Sequence, residues 1–163
     1  MRHAKSDWGN EALSDFDRPL NKRGNKDAPR MGQFLLKNQF TPDIIIASPA
    51  LRAQQTAKHV SATCLYQGDI ETFDMLYPGD SLSLLSKIEK INNKVDIAMI
   101  VGHNPIMEKF VSNLVSYHGD LGIQMTTAAM VGISVDTVDW KEIRNTFKNL
   151  LFFVNPKIIK SIM

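Results

Sequence analysis

The sequence predicts an α/β fold on a mostly parallel sheet, and three observations predict it. Short apolar runs rich in β-branched or large residues read as strands buried on both faces. Helical stretches of about 10–15 residues separate them, the alternation that gives layered α/β folds. With 163 residues, 44% of them hydrophobic, the chain is long enough for one sizeable core. A domain of about 150 residues buries roughly 70% of its extended-chain surface.

The elements follow in order. NKRGNKDAPRMGQFLLKNQF (21–40) allows two helices: one capped by Asn21 with Pro29 inside it, or one capped by Asp27 with Pro29 in its first turn. Either turns Met31, Leu35 and Leu36 to a core. DIIIAS (43–48) is a buried strand. ALRAQQTAKHVSATC (50–64) is a helix with Ala50, Ala53, Ala57, Val60 and Cys64 on one stripe, and Pro49 stands near its start, where a missing N–H costs little. DIETFDML (69–76) fits a short strand poorly. SLSLLSKIEKI (81–91) carries Leu82, Leu85 and Ile88 behind Asp80, which is able to cap it. VDIAMIVGH (95–103) is a second buried strand. IMEKFVSNLVSYH (106–118) follows Pro105 with Phe110, Leu114 and Tyr117 on a stripe. AAMVGISVD (128–136) is a weaker strand, in which Gly132 marks a bulge or a close approach. NLLFFVN (149–155) is a third strand buried on both faces.

Composition excludes some partners. Nineteen Lys and Arg against seventeen Asp and Glu leave a net charge of +2, too little to draw nucleic acid or membrane by bulk charge. The one cysteine, Cys64, forms no internal disulfide framework and reads as a small buried apolar residue. No apolar run approaches the ~18 residues of a membrane span, and MRHAKSDW is no signal peptide. The expectation is a soluble, cytoplasmic protein.

Ligands of open α/β sheets bind beyond the carboxyl ends of the strands. DIIIAS leads into Pro49–Arg52, and VDIAMIVGH ends at His103 ahead of Asn104–Pro105. With Arg2 and His3 at the end of another strand, two guanidiniums and two imidazoles meet at one rim. Such a set without clustered carboxylates does not suit zinc. It suits a phosphoryl group: one histidine attacks phosphorus, and the other residues neutralise the phosphoryl oxygens. No metal and no cofactor are called for. No GxxxxGK[ST] or GxGxxG run is present, so nucleotide binding gains no support.

RHAKSDW (2–8), DFDRPLNKRG (15–24), SPALRAQQTA (48–57) and VGHNP (101–105), in this order and spacing, resemble the histidine phosphatase superfamily. Within it the chain is most similar to the small phosphohistidine phosphatases of the SixA type, and MTTAAMVGI, VDW and LLFFVNP extend the likeness along nearly the whole chain. The resemblance implies a single-domain three-layer αβα sandwich of the phosphoglycerate mutase-like kind over residues 1–163. It implies that His3 is the nucleophile, that Arg2 and Arg52 clamp the phosphoryl group, and that His103 is the second histidine. Arg18 then also reaches the pocket; by itself it reads as a surface charge paired with Asp15 or Asp17. Asp7 and Trp8 are given rim and packing roles. The family's buried first strand is represented here only by Met1, so most of that strand is expected to be lacking and His3 to be loosely placed.

The expected cycle is in-line attack by His3 followed by hydrolysis of the phosphohistidine. Among Asp15, Asp17, Glu71, Asp74 and Asp80 the sequence places no general acid; Asp74 and Asp80, flanking MLYPG, are the candidates. A phosphoramidate needs less proton donation than an alkyl ester, which favours phosphohistidine on a partner protein. Residues 65–94 leave room for little beyond one helix, hence an open mouth. The alternatives are a phosphatase for small phosphomonoesters and a non-catalytic phosphate- or phosphoprotein-binding module.

Overall fold

The run IIIA becomes the central strand β1 (Ile44–Ala47) in a computed structural model that describes residues 1–116 and 121–162. It pairs in parallel with β2 (Ile70–Thr72) and β3 (Ala98–Val101), Ile45 standing opposite Ile70 and Met99. β4 (Met130–Val135) and β5 (Lys148–Val154) form an antiparallel pair. Residues 1–3 join the two sheets. Arg2 bridges Gly102 in parallel, and the His3 N–H donates to the Gly102 carbonyl at 2.9 Å. On the other side Arg2 N–H donates to Ala129 O and Ala128 N–H to His3 O, both at 3.0 Å. The order across the molecule is therefore β2, β1, β3, residues 1–3, β4, β5.

Period-two alternation sends the strand side chains to two helical layers. Ile45 and Ala47 pack against α1 (Gly24–Lys37), α2 (Leu51–Cys64) and α5 (Pro156–Ile162), through Met31, Ala53, Ala57, Val60 and Ile159. Ile46 and Ile100 pack against α3 (Ser81–Ile88) and α4 (Ile106–Val115), through Leu84, Ile88, Met107 and Phe110. The result is the expected αβα sandwich. No helix among the described residues is long and apolar enough to cross a membrane.

Several local readings are refined. The longer α1 forms, with Pro29 inside it, and the Asn21 side chain accepts the N–H groups of Arg23 and Gly24. Met31 and Leu35 are buried but Leu36 is not. In α3, Leu84 rather than Leu82 faces the core, while Asp80 caps the helix as expected. The α4 stripe runs through Phe110 and Leu114; Tyr117 lies outside the described residues. β5 is not buried on both faces: it is an edge strand with one partner among the described residues, so Phe152 packs on Phe34 and Phe40 while Leu150, Leu151 and Phe153 stay exposed. Gly132 has both expected roles. The register shifts between Gly132 and Ile133, and a Cβ at Gly132 would lie 2.3 Å from the Phe152 ring.

Between β3 and β4, beyond Met1, lies an apolar cavity of ≈ 560 Å³ lined in part by Ile100, Phe110, Val131 and Ile133. None of Arg2, His3, Arg52 or His103 lines it.

Candidate active site

Four short stretches converge at the carboxyl ends of β1 and β3. His3 ends the joining segment, Ser48 follows β1, Arg52 stands in the first turn of α2, and His103 follows β3. The rings of His3 and His103 are 4.8 Å apart, and His3, Arg18, Arg52 and His103 are all buried. His3 is not loose. Backbone bonds on both sides tie it to Gly102 and Ala128, and the next amide, Ala4 N–H, donates to Thr56 Oγ1 at 3.0 Å. Close approach helps here: a Cβ on Gly24 would lie 2.2 Å from the Lys5 carbonyl, so the glycine of NKRG lets α1 pack against the His3 segment.

The protonation state of His3 follows from its partners. Nδ1 lies 2.7 Å from the Ala4 carbonyl, which only accepts, so Nδ1 carries the hydrogen. Nε2 then keeps its lone pair, and Arg52 Nε–H donates to it at 3.4 Å. Burial pushes the imidazole pKa down to about 4; the Ala4 carbonyl opposes this, and Arg52, Arg2 and Arg18 reinforce it. His103 is held down to about 3, by burial first and then by His3, Arg52 and Arg2. Both rings are neutral at pH 7, so His3 Nε2 is available as a nucleophile.

Each cation is held by a defined partner. Arg2 Nη1 donates to Met125 O at 2.7 Å, and the Met125 amide and the Asn104 side chain both donate to Glu108 Oε1. Arg52 donates through Nη1 to the Asp15 carbonyl and through Nη2 to Asp15 Oδ2, the latter at 2.9 Å. Arg18 donates to Asp15 Oδ1, and its guanidinium carbon lies 3.4 Å from the centre of the exposed Trp8 ring. Arg18 pairs with Asp15, one of the two partners expected for it, but it is buried rather than a surface charge, and it lies close enough to His3 to help depress its pKa. Asp17 pairs with Ser14 instead. His103 Nε2 meets Ser48 Oγ at 2.8 Å.

Buried polar groups are normally paired. In this cluster Arg2 Nε, Arg18 Nε, Arg18 Nη1 and His103 Nδ1 are buried and make no hydrogen bond among the described residues. Guanidinium donors of this kind suit an anion with several acceptor oxygens, and their charge repels a cation.

The histidine phosphatase superfamily (branch 1) model matches residues 1–74. An uncharacterized protein of Mycobacterium tuberculosis is 31% identical over 121 residues, 73% of this chain and 72% of that one. The chain belongs to the histidine phosphatase superfamily. Phosphohistidine phosphatase SixA of Escherichia coli strain K12 is 26% identical over 148 residues, covering 86% of this chain and 89% of that protein. In fold, the chain is similar to the protein histidine phosphatase SixA complexed with tungstate, with a TM-score of 0.84 at 22% identity, over 98% of this chain and 96% of that one.

Against this histidine phosphatase framework, sequence reading left out the residues that hold the site together. Asp15, in the sequence one acid among several and a possible partner of Arg18, is the carboxylate on both Arg18 and Arg52; its link to Arg52 has no sequence signal. Tyr77, within MLYPG, donates its hydroxyl to Asp15 Oδ2 at 2.7 Å and places its ring 5.3 Å from His103. Ser48, Thr56, Glu108 and Met125 act through backbone and side-chain bonds that no spacing rule reveals. The two acid candidates are placed differently. Asp80 is committed to the cap, accepting from Leu82 N, Ser83 N and Ser83 Oγ. Asp74 is exposed, and its carboxylate makes no hydrogen bond or ion pair among the described residues.

Proposed function

We propose that this phosphatase removes phosphate from phosphohistidine on a partner protein, through a phosphohistidine formed on His3 and without a metal ion. The observation that carries the reading is the His3 Nε2 lone pair, exposed to Arg52 amid buried donors that lack partners. Nε2 attacks phosphorus in line, the P–N bond to the substrate imidazole breaks, and that imidazole takes up a proton from solvent. Positive charge built on the His3 ring is shared with the Ala4 carbonyl through Nδ1–H. Arg2, Arg18 and Arg52 neutralise the phosphoryl oxygens, and His103 donates from Nδ1 when Ser48 donates to Nε2. Water then attacks phosphorus, the P–Nε2 bond breaks, and phosphate leaves as the proton from water passes to solvent.

Two features favour a phosphoramidate on a protein. Asp15, the carboxylate of the rim, accepts from guanidiniums at both oxygens, an anionic arrangement with no proton to give an alkoxide. Residues 65–94 contribute one α-helix, β2 and a short 3₁₀ turn (Asp74–Leu76), a small amount of chain to cover a pocket, which supports the reading of a mouth that admits a protein side chain. The test is turnover of a histidine-phosphorylated protein and of para-nitrophenyl phosphate by wild type and His3→Ala. Expected is hydrolysis of the phosphoprotein, lost by ~10³-fold or more in the variant. Turnover indifferent to the substitution overturns the mechanism, and preference for the phenyl ester overturns the substrate class.

A further inference from the structure

We infer that the Asp15 carboxylate is a resident ligand of the phosphoryl seat, holding Arg18 and Arg52 between turnovers and yielding them when a phosphoryl group binds. The inference rests on the hydrolase reading of the His3 pocket and gives Asp15 a task within it.

The carboxylate spans two guanidiniums: Oδ1 accepts from Arg18 Nη2, and Oδ2 from Arg52 Nη2 and the Tyr77 hydroxyl. Two oxygens bridging planar forks is also how a phosphoryl group is gripped, so the two anions draw on the same donors. Chemistry forces the exchange. Arg52 Nε–H donates to the lone pair of His3 Nε2, which is the pair that bonds phosphorus. Once phosphorus is there, Arg52 Nε must turn to a phosphoryl oxygen, and the rigid guanidinium turns with it.

The loop can stay in place while this happens. Phe16 O accepts from Leu51 N at 3.0 Å, and Ser14 and Asp17 close a turn on either side of Asp15. The Asp15 side chain is 49% exposed while Arg18 and Arg52 are 9% and 6%. Rotation about its own side-chain bonds therefore moves the carboxylate into solvent and frees Nη2 of both arginines, while the Asp15 carbonyl, fixed in the backbone, releases Arg52 Nη1 only when that guanidinium itself turns. A seat already occupied weakens apparent affinity in proportion to the fraction of molecules in which it is free. Recapture of the arginines by Asp15 favours release of inorganic phosphate.

Calorimetric titration of inorganic phosphate into wild type, Asp15→Asn, Asp17→Asn and Arg52→Ala tests this, with melting curves to confirm folding. Asp15→Asn is expected to bind phosphate ~10-fold more tightly and to show a matching fall in the product-inhibition constant. Asp17→Asn removes an equal charge whose carboxylate hydrogen-bonds only Ser14 among the described side chains, and is expected to stay within about 2-fold of wild type, since exposed charges are screened. Equal or weaker binding by Asp15→Asn overturns the inference and makes Asp15 a strut. Equal tightening in both Asp variants also overturns it, in favour of bulk charge. Wild-type binding that is absent, or indifferent to Arg52→Ala, overturns the hydrolase reading and this inference with it.

Discussion

Arg52 Nε lies 3.4 Å from His3 Nε2, and its two remaining nitrogens are both engaged by Asp15. A single guanidinium thus links the proposed nucleophile to the rim. Because Ala4 O fixes the His3 hydrogen on Nδ1, this contact also marks which nitrogen holds the lone pair that the proposed attack needs.

Arg52→Lys retains the charge but loses the planar fork, which no ammonium reproduces. kcat/KM for the phosphoprotein is expected to fall ~100-fold, mostly in kcat, while the melting temperature changes little. Steady-state kinetics with both substrates checks this; a variant within 3-fold of wild type, on the order of 1 kcal/mol or less, would show that charge alone suffices.

Stability depends on pH through the two imidazoles. Their folded pKa values, about 4 for His3 and about 3 for His103, lie below the ordinary 6.5. Between these values the unfolded chain binds more protons than the folded one, so stability rises with pH in that window. The contribution of the two imidazoles is complete above pH 6.5 and is lost as pH falls towards 4, by a few kcal/mol for the coupled pair. Urea unfolding between pH 4 and 8 should show this slope, and His103→Ala should flatten it. A slope unchanged in that variant would remove His103 as a cause.

Thr56 serves two buried groups at once, accepting Ala4 N–H and donating to Arg52 O at 2.6 Å. Thr56→Val keeps the volume and leaves the Ala4 amide without a partner. The expected cost is about 1–3 kcal/mol, with loss of activity from a displaced His3 segment. Thr56→Ser should recover most of both. Denaturation midpoints together with turnover measure the effect, and a valine variant as stable and active as wild type would contradict it.

Much of this was legible in the one-dimensional pattern. The IIIA and AMIV runs could be buried only as central strands, and the Ala53–Ala57–Val60–Cys64 stripe only against them, because hydrophobic period is a local property of the chain. Residue type and order likewise announced His3, Arg2, Arg52 and His103 as one set. β5 was misread because an edge strand and a central strand share the same apolar composition, and only the absence of a second neighbour separates them. Tertiary structure alone decided that Asp15 and Tyr77 close the rim, that Glu108 and Met125 steady Arg2, and that His3 Nε2 keeps its lone pair. The Asp15, Tyr77 and Arg2 contacts join atoms 37 to 123 positions apart, the His3 tautomer turns on the direction of the adjacent Ala4 carbonyl, and a hydrogen bond is set by angstroms of distance and direction that residue order does not carry.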